Sequence, residues 1–425
     1  MELPPRKVFA GRWKEHAKME KISFDQFVAA VTDLYADCDD FAQRQMAFPQ
    51  ARVFLCFVKG MSDRDYISEK LIKPLTTSAD GLAGFDGAFD TLLRSATLRE
   101  PESPEQAAQV LMRGEVLLLV ERGGCCYATL ANAQMTEGRG IGEPTSDVTV
   151  KGPKAGFVED AETNMNEIRR YIRTPALKFV SLTVGRVSKT KVVLAYVQGR
   201  AKQGLIEDLQ RRIAAADASA IVDSGNIEML IQNERYPLFP SMGSSEKVDK
   251  VASKLMAGRV GVIVDGSPFV LTAPYVFAES IQSAEDYLRS PYYATFIRCL
   301  RVIALLAALY LPALLVAIMS FHITLLPGNV ADSIREMRQD LPFSLFGEVF
   351  FVLLIFEVLR EVGVRMPRTV GDAVGIVGSI ILGDAAVEAG IASTIVIMVV
   401  ALAAVCAFIV PAYMYSTVLL RFMML

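Results

Sequence analysis

Short apolar runs, broken by glycine and by amphipathic stretches, fill the chain up to about Arg301; beyond it the apolar runs lengthen. Residues 53–60, VFLCFVKG, form a continuous apolar run ending in glycine, the pattern of a buried strand. Helical spacing follows over Asp63–Leu75, Phe85–Arg94 and Pro104–Arg113. LMRGEVLLLVERGGCCYATLA, 111–131, then predicts two strands about a glycine turn. The same grammar returns downstream. VVLAYVQG (192–199) is again a strand ending in glycine, and helices are predicted near Lys202–Ala215, Ser224–Gln232 and Glu246–Ala257. LMAGRVGVIVDGSPFVLTA (255–273) gives two strands around Asp265, Gly266, Ser267 and Pro268. Leu111, Met112, Gly114 and Val116 match Leu255, Met256, Gly258 and Val260. An offset of about 140 residues implies duplication of a subdomain rather than a solenoid. Between the copies lies a Gly/Pro-rich stretch, and Ala161–Ile172 reads as a helix with Arg169 and Arg170 in its last turns.

After Arg301 the runs Val302–Met319, Leu341–Leu359, Val370–Ile391 and Thr394–Leu420 suit membrane spans, each needing about 20 residues. Pro312 is expected to kink the first, and the last runs through Pro411. The expected architecture is an α/β soluble part of two duplicated subdomains followed by an α-helical transmembrane bundle. Its boundaries are 1–135, a linker or hairpin at 136–175, 176–297, and a membrane domain 298–425 with about four helices. Arg289, Arg298, Arg301, Arg360, Arg365, Arg368 and Arg421 place both ends of the bundle on the cytosolic side. The polar N-terminus lacks the apolar core of a signal peptide, so the large N-terminal part is expected in the cytosol.

Glu348, Glu357, Asp372, Asp384 and Glu388 sit inside these apolar runs. An ionisable group at the bilayer centre costs at least about 2.5–3.5 kcal/mol and marks a pathway, a relay or a buried partner. Asp384 and Glu388 share a helix face between Gly383 and Gly390, where a helix break is expected; with Glu348 they are the ion-pathway candidates, the other reading of the two being a loop at the outer interface with both carboxylates in water. Glu348 reads as nearer mid-span and needs a neighbour such as a helix hydroxyl if buried. Glu357, Arg360, Glu361 and Arg365 read as an interfacial charge cluster. Gly371, Gly375, Ser379 and Gly383 form a small-residue stripe for close helix packing.

Net charge is −3, and 52% of residues are hydrophobic, the excess falling after Arg301; nothing points to nucleic acid. The cysteines lack CxxC spacing and the chain has only His16 and His322, so no zinc site, other metal site or cofactor is expected. The vicinal pair Cys125–Cys126 reads as small residues in a strand rather than a redox pair. Gly138, Gly140 and Gly142 lack the lysine of a phosphate loop, and Lys151 and Lys154 read as a solvated loop. No nucleophile–base set is legible, so no catalysis is expected.

FLCFVKGMSDRDYISEKLIKPL (54–75), GPKAGFVEDAETNMNEIRRYI (152–172), VDGSP (264–268), LREVGVRMP (359–367) and GIVGSIILGDAAVEAGIAS (375–393) occur in one order along the chain. In that order they resemble the GerA family, the A-type subunits of bacterial spore germinant receptors; the paralogous stage V sporulation protein AF has a similar body. The chain departs from the family pattern at Asp372 and Asp384, where glutamine is usual. The resemblance implies a protein of the spore inner membrane that works with a B-type integral membrane, germinant-sensing subunit and a C-type lipoprotein. It also implies a homo-oligomer that releases cations. A secondary transporter and a membrane-anchored signalling scaffold are the other classes the composition allows; residues 302–420 show no inverted repeat, which weighs against the transporter.

Overall fold

The computed structural model describes residues 23–48, 51–73, 75, 101, 103–122, 125–133, 152–232, 239–338, 341–365, 383–410 and 415–425. The chain divides into two compact units, Met1–Tyr275 and Val276–Leu425.

The first unit holds two antiparallel sheets of like construction. β1 (Phe41–Phe48), β2 (Ala51–Val58), β3 (Glu115–Arg122) and β4 (Cys125–Asn132) pair in chain order. The second sheet contains β5 (Leu177–Val184), β6 (Thr190–Val197), β7 (Gly243–Ser245), β8 (Val260–Val264) and β9 (Val270–Ala273), in the order β5-β6-β8-β9-β7. Each sheet is thus a hairpin, a helical insertion and a second hairpin. The expected mixture of helix and strand is present, but every ladder is antiparallel, unlike a doubly wound α/β sheet.

The long apolar runs in β2 and β6 follow from burial on both faces. On one face of the first sheet, Phe54, Cys56, Leu117 and Leu119 pack under α1 (Phe24–Leu34) and α2 (Pro104–Leu111). On the other, Val53, Leu55, Leu118 and Val120 pack against Ile67, Leu71 and Leu75. In the second sheet, Phe179, Val193 and Ile263 face α3 (Ala161–Tyr171) and α6 (Val248–Met256). Leu194, Val262 and Leu271 face α4 (Gln203–Ala215) and α5 (Ser224–Ile231). Alternate residues therefore serve opposite cores, so no polar alternation survives.

The glycines that ended the predicted strands have a reason. Gly60 and its counterpart Gly199 have φ of 75° and 80°, and Gly114 and Gly258 have φ of 87° and 89°. Both turns of the repeat use left-handed backbone, which favours glycine. One boundary differs from the expectation. Phe157, Ala161, Met165 and Ile168, placed in the linker by sequence, lie in the core of the second sheet. Asp160 caps this α3 helix through the Thr163 amide at 2.7 Å.

The second unit is helical: α7 (Pro291–Phe321), α8 (Gly328–Arg338), α9 (Leu345–Arg365), α10 (Thr394–Phe408) and α11 (Tyr415–Met424). Among the described residues, α7 alone is long and apolar enough to cross a membrane, and α10 is apolar but shorter. The run Thr394–Leu420, expected as one span, is two helices, α10 and α11. Most of Val370–Ile391 lies outside the described residues. Met319, Ile334, Leu345, Val349, Leu353, Val396 and Val400 form the core of this unit. Ile303, Leu306, Phe351, Met398 and Phe408 point outward and are exposed.

Candidate functional site

In the second unit, Glu348, Glu357 and Arg421 lie in the interior beside the apolar core, while large apolar side chains are also exposed on its surface. Glu348 is 1% exposed and sits in the first turn of α9, not mid-helix as its sequence position suggested. Its Oε1 accepts from the Ser393 amide and the Ser393 hydroxyl, both at 2.5 Å. Ser393 is the N-cap of α10, so a carboxylate closes the positive end of that helix. Arg338 Nε, from the end of α8, lies 3.6 Å from Glu348 Oε2. The expected hydroxyl partner is therefore present, on another helix, with an arginine behind the carboxylate.

Glu357 pairs with Arg360 one turn on, as its spacing suggests. It also meets Arg421 of α11, whose Nη1 is 3.3 Å from Glu357 Oε1. Arg421, expected at the membrane surface, is 2% exposed and donates from Nε to the Ala308 carbonyl of α7 at 2.8 Å. Glu361 is exposed, and Arg365 ends α9. The expected interfacial cluster is thus partly interior, with Glu357 tying α9 to α11 and Arg421 tying both to α7.

Asp384 and Glu388 are exposed on a helical turn that gives way at Gly390, with φ of 62°. The predicted break is present. An added Cβ on Gly383 would lie 3.9 Å from Ile397, so Gly383 approaches α10 at ordinary contact distance. Gly371, Asp372, Gly375 and Ser379 lie outside the described residues.

Just before α7, Asp286 holds Arg301 at 2.7 Å and Arg298 at 3.2 Å. Burial pushes the Asp286 carboxyl up, but Arg301, the Ser283 amide and Arg298 outweigh it and hold it below the usual range. Two of the arginines that set the expected orientation therefore share one carboxylate.

The first unit has its own buried charge. Arg169 is 0% exposed. Its Nε and Nη2 donate to Asp40 Oδ2 at 2.9 and 2.6 Å, and its Nη1 to the carbonyls of Thr174 and Leu177 at 3.1 and 3.0 Å. Lys178, also buried, donates to the Leu34 and Ala36 carbonyls. These bonds fasten the turn after α1 to β5, joining the two repeats. Beside them is a cavity of about 920 Å³ lined by Asp33, Asp37, Glu105, Arg113, Arg173 and Lys178.

The sequence motifs prove to be fasteners of the second repeat. Asp265 Oδ1 accepts from the Ala161 amide at 3.1 Å, and the Gly266 amide donates to Glu159 O at 2.7 Å. Ser267 donates to Asp223, the N-cap of α5. Asn164 bonds both backbone groups of Val158, and the Phe157 amide donates to Glu246 O. Cys126 is buried and burial pushes its thiol up to about 11, which suits packing rather than redox chemistry. Arg169, Arg421 and Ser393 carried no local signal of these roles, since each partner is remote in sequence.

The fold is a duplicated antiparallel α+β unit followed by an apolar helical unit with interior ion pairs. Residues 29–425 match the family described as Bacillus/Clostridium GerA spore germination protein, and the chain belongs to that family. It is 37% identical over 359 residues to spore germination protein KA of Bacillus subtilis (strain 168), covering 84% of this chain and 66% of that protein. It is 33% identical over 390 residues to spore germination protein B1 of the same organism, covering 89% of this chain and 78% of that one. The crystal structure of the N-terminal domain of the A subunit of the Bacillus megaterium spore germinant receptor GerK3 aligns with 61% of this chain and 98% of that domain, at 23% identity and a TM-score of 0.45.

Proposed function

We propose that the chain is the A-type subunit of a spore germinant receptor, embedded in the spore inner membrane through its second unit. The observation that carries this, beyond family membership, is the inverted polarity of that unit. Glu348, Glu357 and Arg421 are interior while Ile303, Leu306, Phe351, Met398 and Phe408 face outward. In water this arrangement would expose a large apolar surface; in lipid it leaves each of these three charges with a protein partner. α7 is long and apolar enough to supply a full span, and the shorter apolar helix α10 packs against it. The subunit assembles with a B-type integral membrane subunit, a C-type lipoprotein and further copies of itself, and the assembly conducts cations. Asp384 and Glu388 line that path because they are exposed beside a helix break. The interior, paired Glu348 holds the bundle instead. Spores carrying Asp384→Asn with Glu388→Gln should release cations severalfold more slowly at unchanged protein level; release at the native rate removes both from the path.

A further inference from the structure

Pro312 lies inside α7. A proline has no amide hydrogen, so the carbonyl one turn earlier, that of Ala308, loses its intrahelical donor. Ala308 and Pro312 are both buried, so water does not replace that donor. In apolar surroundings such a carbonyl needs a partner from a neighbouring helix. The Nε of Arg421 is 2.8 Å away on α11. We infer that Arg421 stands in for the missing Pro312 amide and latches the hinge of α7 to α9 and α11.

The rest of the guanidinium is arranged for this. Nη1 reaches Glu357 Oε1 of α9, and Arg360 holds the other oxygen of the same carboxylate. The charge that Arg421 brings into the interior thereby meets a carboxylate, which it shares with Arg360. Phe422, the next residue, meets Phe350 of α9 edge-on at 5.5 Å, which seats this turn of α11. Arginine suits the post because its fork offers separate donors to a carbonyl on one helix and a carboxylate on another; lysine has a single centre. The consequence is mechanical. α7 and α11 cannot part at this level without stranding a buried carbonyl, so the Pro312 turn of α7 and the position of α11 are coupled. Arg421 is a positioning residue, and its latch exists whether or not the helices conduct ions.

The test is a double-mutant cycle on the purified full chain, unfolded by SDS titration from mild detergent micelles. Arg421→Met should weaken the folding equilibrium at least about tenfold, equivalent to about 1.4 kcal/mol. In a Pro312→Ala background the amide of residue 312 again reaches Ala308, and most of that loss should vanish. Arg421→Gln, which keeps an N–H for the carbonyl, should recover part of the loss when residue 312 is proline and none when it is alanine. Additive costs, or equal losses for Met and Gln with Pro312 present, would overturn the inference. If Arg421→Met does not fold, recovery of folded protein by Pro312→Ala supports the latch and no recovery overturns it. Cation release from spores is a separate measurement, so failure of the latch and failure of the conduction reading are distinguishable.

Discussion

Replacing Asp40 tests what joins the two repeats. Asp40→Ala removes the acceptor of two of the four hydrogen bonds made by Arg169, whose side chain is 0% exposed. The remaining two go to carbonyls, which bear only partial charge, and the face of Phe179, 4.8 Å from the guanidinium carbon, adds a weak attraction. An uncompensated buried cation costs about 3–5 kcal/mol, a large share of the roughly 5–15 kcal/mol that stabilises a typical domain. Denaturant unfolding of the full chain, followed by hydrogen exchange in peptides covering 38–41 and 177–184, measures the loss where it arises. The Asp39 amide to Phe179 O and the Ser181 amide to Asp39 Oδ2 lie in those peptides and should lose protection first. The double variant Asp40→Ala, Arg169→Met should be more stable than Asp40→Ala alone, because it removes the stranded charge as well. A single-variant loss below about 1 kcal/mol, or a double variant no better than the single, would show that Arg169 finds other solvation and that the pair is not the fastener.

Gly258→Ala should destabilise more than Gly199→Ala in the same unfolding assay. Both have positive φ, costing about 1–3 kcal/mol, but only at 258 does the new Cβ also fall 2.7 Å from a backbone oxygen, that of Arg200. Equal losses would mean the backbone relaxes away from the clash. Asp286→Asn should lower the unfolding midpoint at pH 7. The Asp286 carboxyl is held below its ordinary value of 3.8, so its stabilisation is present above that pH and lost as pH falls through the depressed value. A gap between variant and parent that persists unchanged well below pH 3.8 would refute the ion-pair account. Glu348→Gln should cost about 2 kcal/mol by weakening charged hydrogen bonds at the start of α10, measured by SDS titration, whereas Asp384→Asn should be neutral in that assay.

The sequence showed the strands buried on both faces and hid those at the edges. β2 and β6 stand out because two cores demand apolar residues at consecutive positions. β1, FAQRQMAF, lies at the rim of its sheet with much of its surface exposed, so it leaves no apolar run to find. α3 was legible as a helix, but its membership of the second core was not, because a glycine-rich stretch before it read as the end of a linker. The repeat was legible because left-handed turns restrict residue choice to glycine at matched places, Gly60 with Gly199 and Gly114 with Gly258. Ion pairs are the opposite case. Arg169 and Asp40 are 129 positions apart, Arg421 and Glu357 64, and Ser393 and Glu348 45. Local spacing finds pairs within one helix, such as Glu357 with Arg360.

The acidic residues in the apolar half therefore separate by what surrounds them. A carboxylate that accepts a helix amide and a hydroxyl on one oxygen and faces an arginine with the other, as Glu348 does, is engaged in holding helices. Passing an ion across it would require breaking those bonds at a buried carboxylate. Glu357 is bound in the same way by Arg360 and Arg421. Asp384 and Glu388, on an exposed turn, retain access. Sequence alone ranks all of them alike, because a charge within an apolar run signals only that a reason exists. Burial and partner decide which reason. In this chain they assign the interior charges to assembly of the bundle, and they leave the two carboxylates beside Gly390 as the exposed ones that the proposed conduction would use.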